Sequence, residues 1–214
     1  MPMKAAIAGA TGFIGSQLLG LMKDDAAIES VQVLSRRPLD LPSKFTVIQS
    51  DLMQPRLTGP VDTAFCALGT TMAVAGSKEA FYHVDHDLVL AFAQAAKAQG
   101  AQTFILVSSI GADARSSNYY LKVKGQTEED LKALGFRSLI ILQPSLLMGD
   151  RREFRLGERV GQGAMTLLGP LMLGPLAKYR GIHGRTVANA MLRLAKEDLP
   201  GVHVLESDRL QAFH

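Results

Sequence analysis

The chain has 214 residues, 47% hydrophobic and 20% charged, a balance that excludes a disordered protein and suits one globular domain. A formal charge of +3 without any Lys/Arg tract excludes a protein that tracks nucleic acid, yet suits a small anionic ligand. A single cysteine, Cys66, excludes an intramolecular disulfide and a cysteine metal cluster, and leads to the expectation of a reducing, cytoplasmic setting.

Short apolar, β-branched runs are expected as strands over Lys4–Ala8, Val31–Ser35, Phe45–Gln49, Thr63–Ala67, Thr103–Val107 and Ser138–Leu142. Helical patterns fall between them at Gly15–Lys23, Ser77–Gln99 and Asn118–Leu134, with Gly100 and Gly135 placed to end the last two. Between the second and third strands, SRRPLDLPSK carries two prolines and predicts no long crossover helix. The alternation predicts right-handed βαβ crossovers and a doubly wound parallel sheet, an α/β Rossmann fold.

After the sixth strand the rhythm changes to DRREFRLGER, a Gly/Pro/Met/Leu stretch, a helix around Arg185–Lys196 and a late strand near Val202–Leu205. This part is expected to elaborate the same domain: 1–214 forms one unit, with 150–214 on its substrate side. Its longest uncharged stretch, 161–177, falls short of the ~20 apolar residues that span a bilayer, so no stable membrane insertion is expected. MPMKAAIAGATGFIG reads as a strand and turn rather than a leader.

The first strand runs into Gly9-Ala10-Thr11-Gly12-Phe13-Ile14-Gly15 and then a helix. In such a turn one glycine permits the bend, one lets backbone approach a pyrophosphate, and one lets the helix pack on the sheet. The helix N-terminus then offers free N–H groups to the phosphates. The second strand ends in Arg36-Arg37, and Arg36 lies 21 residues after Gly15, where a ribose-reading residue is expected. An acid there would accept the ribose hydroxyls; two guanidiniums instead suit a 2′-phosphate, which favours NADP(H). Asp51, after the third strand, reads either as an acceptor for the adenine amino group or as an exposed loop carboxylate. The fourth strand ends at Leu68-Gly69, also on the carboxyl edge where ligands of open α/β sheets bind.

The fifth strand ends in Ser108-Ser109, and Tyr120 follows eleven residues after Ser109, with Lys124 four residues beyond. Tyr-x-x-x-Lys occurs by chance in a chain of this composition about one time in five, so its context decides. With Tyr120 at zero, helical geometry puts Lys124 at about 40°, Thr127 at about 340°, Leu131 at about 20° and Leu134 at about 320°. Tyr120 and Lys124 therefore begin the sheet-facing stripe, while Tyr119 and Lys122 point elsewhere. A phenol titrates near ~10 in water, and a neighbouring ammonium, with an oxidised nicotinamide, brings it toward a working range. Ser109 would hold the substrate oxygen, Tyr120 exchange its proton and the cofactor exchange hydride.

These features together resemble the short-chain dehydrogenase/reductase superfamily in its extended and atypical branches, nearest the human Tat-interacting oxidoreductase-like proteins. GATGFIG, SRR, FCALGTT, SSIGADARSSNYYLKVKG and DRREFRLGE carry the likeness. It implies an NADPH-binding Rossmann domain with cofactor contacts at Gly9, Thr11, Gly12, Phe13, Ile14, Gly15, Arg36, Arg37, Leu68, Gly69, Tyr120, Lys124 and Arg155. The serine could align at Ser108 or Ser109, and related extended members favour Ser109. Gln143-Pro144-Ser145 stands where those proteins carry Arg-Pro-Gly. A small-molecule substrate is implied, and a homodimer or a regulatory protein partner is left open.

A rival reading is a regulator that binds NADPH and signals redox state without turnover. The Ser/Tyr/Lys set favours the enzyme, because a sensor needs no proton-transfer apparatus. His83 and Asp87 share a helical face but read as the polar start of a helix rather than a metal edge. Cys66 reads as a small buried strand residue.

Overall fold

The computed structural model describes residues 2–149 and 178–214. Its centre is a seven-stranded sheet of β1 (Met3–Ala8), β2 (Ile28–Ser35), β3 (Phe45–Gln49), β4 (Thr63–Cys66), β5 (Thr103–Val107), β6 (Ser138–Gln143) and β9 (Gly201–Glu206). The order is β3-β2-β1-β4-β5-β6-β9, parallel throughout. A separate two-stranded piece pairs β7 (Leu147–Met148) with β8 (Ile182–His183). The helices are α1 (Phe13–Lys23), α2 (Met72–Ala75), α3 (Lys78–Tyr82), α4 (Leu88–Ala98), α5 (Tyr119–Ala133), α6 (Gly184–Leu194) and α7 (Ser207–Leu210).

Side chains alternate across a strand, so each strand feeds two cores. On β1, Ala5 and Ile7 pack with Ile14, Leu18 and Met22 of α1 and Val187 and Met191 of α6. Ala6 and Ala8 join Val89 and Phe92 of α4 and Leu131 of α5 on the other face. Burial on both faces is why these strands read as continuous apolar runs rather than alternating ones. The SRRPLDLPSK connection carries no helix, as its prolines predict.

The expected helix Ser77–Gln99 is a continuous helical run over 78–98, with a π-helical turn at His83–Asp87 between α3 and α4. The short helices α2 and α7 and the β7–β8 pair are additions to the sequence reading. The late strand expected near Val202–Leu205 is β9, which pairs in parallel along all of β6 and covers that edge of the sheet. Gly100 and Gly135 take φ of 94° and 65°, the left-handed backbone that ends a helix.

Candidate functional site

β1 and β4 are neighbours, whereas the chain leaves β1 toward β2, so the sheet order reverses between them. Ligands of open α/β sheets bind at the carboxyl ends of such a pair. Gly9 ends β1 with φ of 85°, and a Cβ there would lie 2.4 Å from the Ala67 carbonyl carbon at the end of β4. A Cβ on Gly15 would fall 2.1 Å from the Gly9 oxygen, so the first turn of α1 lies directly against the bend. Gly12 caps α1 with no side-chain bond, and its N–H donates to the Gly9 carbonyl at 3.0 Å. The first turn holds no acid. An uncapped helix start in a cradle that any Cβ would fill fits a pyrophosphate.

Within the turn the side chains divide. Thr11 is exposed, whereas Ile14 lies in the core with α6 and leaves only its backbone toward the turn. Phe13 lays its ring where two later glycines make room: a Cβ on Gly149 would come within 2.9 Å of it, and one on Gly184 within 2.4 Å. The glycine turn is thereby packed onto the segment after β7 and the start of α6.

Arg36 and Arg37 are exposed just beyond β2. Their loop is pinned by the Arg37 N–H donating to Ser35 Oγ at 3.2 Å and by Gln49 Nε2 donating to the Arg36 carbonyl at 3.3 Å. Among the described residues neither guanidinium makes an ion pair. Asp51 is exposed, and its Oδ1 accepts the Met53 N–H at 3.0 Å. That turn holds Leu52 buried at φ of 69°, a left-handed conformation rare for leucine. Leu68 is half-buried and Gly69 exposed at the end of β4. Arg155 and the apolar stretch 161–177 lie outside the described residues.

Asn118 caps α5, its side chain accepting the Leu121 N–H at 3.3 Å. Tyr119 and Tyr120 then diverge. The Tyr119 hydroxyl donates to the Lys78 carbonyl at 3.0 Å, and the Lys78 ammonium sits 5.2 Å from its ring centre. Tyr120 packs its half-buried ring 5.4 Å from Phe81, and its hydroxyl has no hydrogen-bond partner among the described residues. Lys124 is buried one turn on, while Lys122 is exposed. The buried arc, Val123, Lys124, Thr127, Glu128 and Leu131, is wider than the expected stripe.

Two buried carboxylates organise this helix, and the sequence reading missed both. Asp85, from the π-helical turn, brings Oδ1 to 2.8 Å from Lys124 Nζ, with side-chain exposures of 0% and 7%. Its Oδ2 accepts the Thr70 N–H at 2.8 Å, and its carbonyl accepts Thr127 Oγ1 at 2.9 Å. Burial pushes the Lys124 ammonium toward losing its proton, but the Asp85 charge and then Tyr120 outweigh that and hold its pKa above the ordinary lysine value. Glu128 accepts Ser108 Oγ at 2.5 Å and Gln143 Nε2 at 2.9 Å. Burial raises the pKa of Glu128, against the lowering effect of those two bonds. Ser108 is thus committed to Glu128, whereas Ser109 is half-buried with one long 3.5 Å contact to the Ile110 carbonyl. Gln143 stands where the resembled proteins have arginine, and it meets Glu128 with a neutral amide.

A signal for Asp85 exists: it is an acid on the otherwise apolar stripe Phe81, Val89, Phe92, and a buried acid needs a cation. Among the described residues no group of His, Cys, Asp or Glu could hold a metal ion. Asp87 contacts His83 at 3.5 Å and His86 at 2.9 Å.

A family model described as NAD(P)H-binding matches residues 9–167, more than half the chain. Among curated proteins, the mitochondrial protein FMP52-1 of Scheffersomyces stipitis is 40% identical over 233 residues, covering 99% of each chain. The mitochondrial protein fmp52 of Emericella nidulans is 34% identical over 91% of this chain and 90% of its own. Among solved structures, MoeE5 in complex with UDP-glucuronic acid and NAD has a TM-score of 0.72 at 18% identity, covering 94% of this chain and 75% of that one. The human epimerase family protein SDR39U1 with NADPH has a TM-score of 0.63 at 17% identity, covering 95% and 74%. At such identities the structural likeness is one of fold. The cytoplasmic expectation does not survive, because several relatives at 34–40% identity are named mitochondrial. A lone cysteine reports a reducing environment, not which compartment supplies it.

Proposed function

The chain belongs to the NAD(P)H-binding family, and from that premise we propose that it is an NADP(H)-dependent oxidoreductase of the short-chain dehydrogenase type. It would pass hydride between the cofactor and a small carbonyl or alcohol. The observation that carries this reading is the buried Lys124 one helical turn after Tyr120, on a helix that follows the strand ending in Ser109. The bound nicotinamide supplies or accepts the hydride. Tyr120 Oη exchanges the proton of the substrate oxygen, Ser109 Oγ donates a hydrogen bond to that oxygen, and Lys124 stabilises the phenolate and holds the cofactor ribose.

Gly9, Thr11, Gly12, Gly15 and the backbone of Phe13 and Ile14 would cradle the pyrophosphate, and Leu68 and Gly69 would border the cofactor. Asp51 would accept from the adenine amino group. Arg36 and Arg37, exposed and without ion pairs among the described residues, support NADP(H) over NAD(H). Arg155 is proposed as a further phosphate contact on the resemblance alone. So is the kinship with Tat-interacting oxidoreductase-like proteins, which rests on FCALGTT and SSIGADARSSNYYLKVKG. Residues 1–214 are proposed as one domain with 150–214 on its substrate side.

The test is hydride transfer across a panel of carbonyls with NADPH and NADH. Tyr120→Phe should lower turnover about 10²–10⁴-fold, while Tyr119→Phe stays near wild type. Equal losses would mean the register is wrong. Arg36→Ala with Arg37→Ala should weaken NADPH far more than NADH, and tighter NADH binding by the wild type would overturn the cofactor assignment. Tight NADPH binding with no turnover anywhere on the panel would point instead to the redox-sensing regulator.

A further inference from the structure

The π-helical turn at His83–Asp87 has no role in the scheme above, yet it lies against the reacting end of α5. Beyond Lys124 it is fastened to the same helix twice: Thr127 Oγ1 donates to the Asp85 carbonyl, and His86 Nε2 meets Asp130 Oδ2 at 2.9 Å. A π turn adds a residue to the helical repeat, and Asp85 lies within this one with its side chain fully buried. Its two oxygens then divide between the Lys124 ammonium and the Thr70 N–H, each at 2.8 Å. Gly69 lies over the pair: a Cβ there would be 3.4 Å from Asp85 Oδ1 and 3.6 Å from Lys124 Nζ. The glycine keeps that side of the ion pair free of a side chain.

Resting on the reading of Lys124 above, we infer that Asp85 is a positioning residue for the reaction, the counter-ion that fixes the Lys124 ammonium beside Tyr120 and ties it to the loop after β4. The other titratable groups around Lys124 do not fill this role. Tyr120 lies one turn before it on α5. Cys66 on β4 is a fully buried thiol pushed up to about 12, hence uncharged below that. Glu128, one turn further along α5, already accepts from Ser108 and Gln143. Among the described residues Asp85 is the one carboxylate in direct contact with the ammonium. Without it, burial loses its chief counterweight at Lys124 and favours the neutral amine.

The experiment follows the lysine itself. ¹³Cε lysine resonances of the cofactor-free protein are titrated, with the Lys124 signal assigned by its loss in Lys124→Arg. In the wild type Lys124 should titrate above the ordinary lysine value. Asp85→Asn can keep the acceptor for Thr70 while it removes the charge and the acceptor oxygen facing Lys124, and should move the midpoint down by about two pH units or more. NADPH affinity, flat from pH 7 to 9 in the wild type, should fall at least tenfold over that range in Asp85→Asn. In Asp85→Asn/Lys124→Arg that pH dependence should vanish, because a guanidinium keeps its charge.

An unchanged lysine midpoint in folded Asp85→Asn overturns the inference. If Asp85→Asn does not fold, Asp85→Glu carries the test: its lysine must still titrate above the ordinary value, and a midpoint below it is equally fatal. NADPH binding without turnover would sink the oxidoreductase reading, and the lysine titration would still decide whether Asp85 holds the ammonium.

Discussion

Glu128 is a carboxylate packed between α5 and β6, where the resembled proteins would supply an arginine and this chain supplies Gln143. A neutral amide and a serine hydroxyl satisfy its oxygens, but these bonds and the charges of Lys132 and Lys124 do not offset burial, which raises its pKa. The linkage has a definite sign. An acid whose folded pKa is raised binds its proton more tightly folded than unfolded, so it adds stability below its unfolded pKa. That stability is lost as pH rises through the folded pKa. Glu128→Gln removes the titration while keeping an acceptor for Ser108. Wild type minus Glu128→Gln in unfolding free energy should therefore be more positive at pH 5 than at pH 8, measured by urea denaturation at both. A difference that is constant or grows with pH would mean that burial does not dominate at Glu128. The same contacts distinguish the two serines: Ser108 is held by Glu128, which a sequence alone cannot reveal because the partner lies twenty residues away on another element.

α5 shows what one helix must satisfy at once. Its exposed side carries Lys122 and Glu129, its buried arc carries Lys124 and Glu128, and Gly125 lets the β5–α5 loop touch its backbone. A Cβ on Gly125 would lie 2.1 Å from the Ala114 nitrogen and 2.3 Å from the Asp113 carbonyl carbon, while the Asp113 N–H donates to the Leu121 carbonyl at 3.2 Å. Helix propensity favours alanine over glycine by about 1 kcal/mol. Those contacts are backbone, however, and cannot rotate away, so overpacking at about 1–3 kcal/mol should win. Gly125→Ala should lower the melting temperature. Because Ser109 and Tyr120 stand at the two ends of the displaced loop, it should also cut turnover at least tenfold while NADPH affinity changes less. An alanine variant as stable and active as the wild type would show that the loop has room to move. Much of this element was legible: Asn118 caps it, and the periodicity separated Tyr120 and Lys124 from Tyr119 and Lys122. β3 and β5 were legible to the residue, because β-branched runs bounded by polar turns leave little choice. The π turn was not, since a 3.6-residue period assumes the very repeat that His83–Asp87 breaks, although Asp85 could be read as an acid on the stripe Phe81, Val89 and Phe92. Phe13 is expected from the resemblance as a cofactor contact, but its ring is seated by Gly149 and Gly184, far along the chain.

At the scale of the whole molecule, the last fourteen residues return to the sheet and form its outer edge beside β6. β9 runs parallel to β6 from Ser138↔Gly201 to Gln143↔Glu206 and covers the edge of a strand buried at every position. Behind it Ser207 is fully buried and shares a 2.9 Å hydrogen bond with Ser145, while Leu210 enters the core that α1 and α6 build against β1. α6 itself packs along α1, so the phosphate turn and the C-terminal segment share one hydrophobic core. A chain ending at Pro200 would expose the hydrogen-bonding edge of β6 and a void where Leu210 sits, the combination that drives strand-edge aggregation. That truncation should yield insoluble or unfolded protein rather than a smaller NADPH binder. The intact chain should unfold in one calorimetric transition, with van't Hoff and calorimetric enthalpies in agreement. NADPH at a hundredfold excess over its Kd should displace the whole transition, by about 2.7 kcal/mol for a ligand that binds only the folded state. If the C-terminal part were a separate unit, two transitions would appear and only the one that melts the phosphate turn would move with NADPH. A soluble, NADPH-binding truncation would likewise mean that sheet and site do not form one cooperative body.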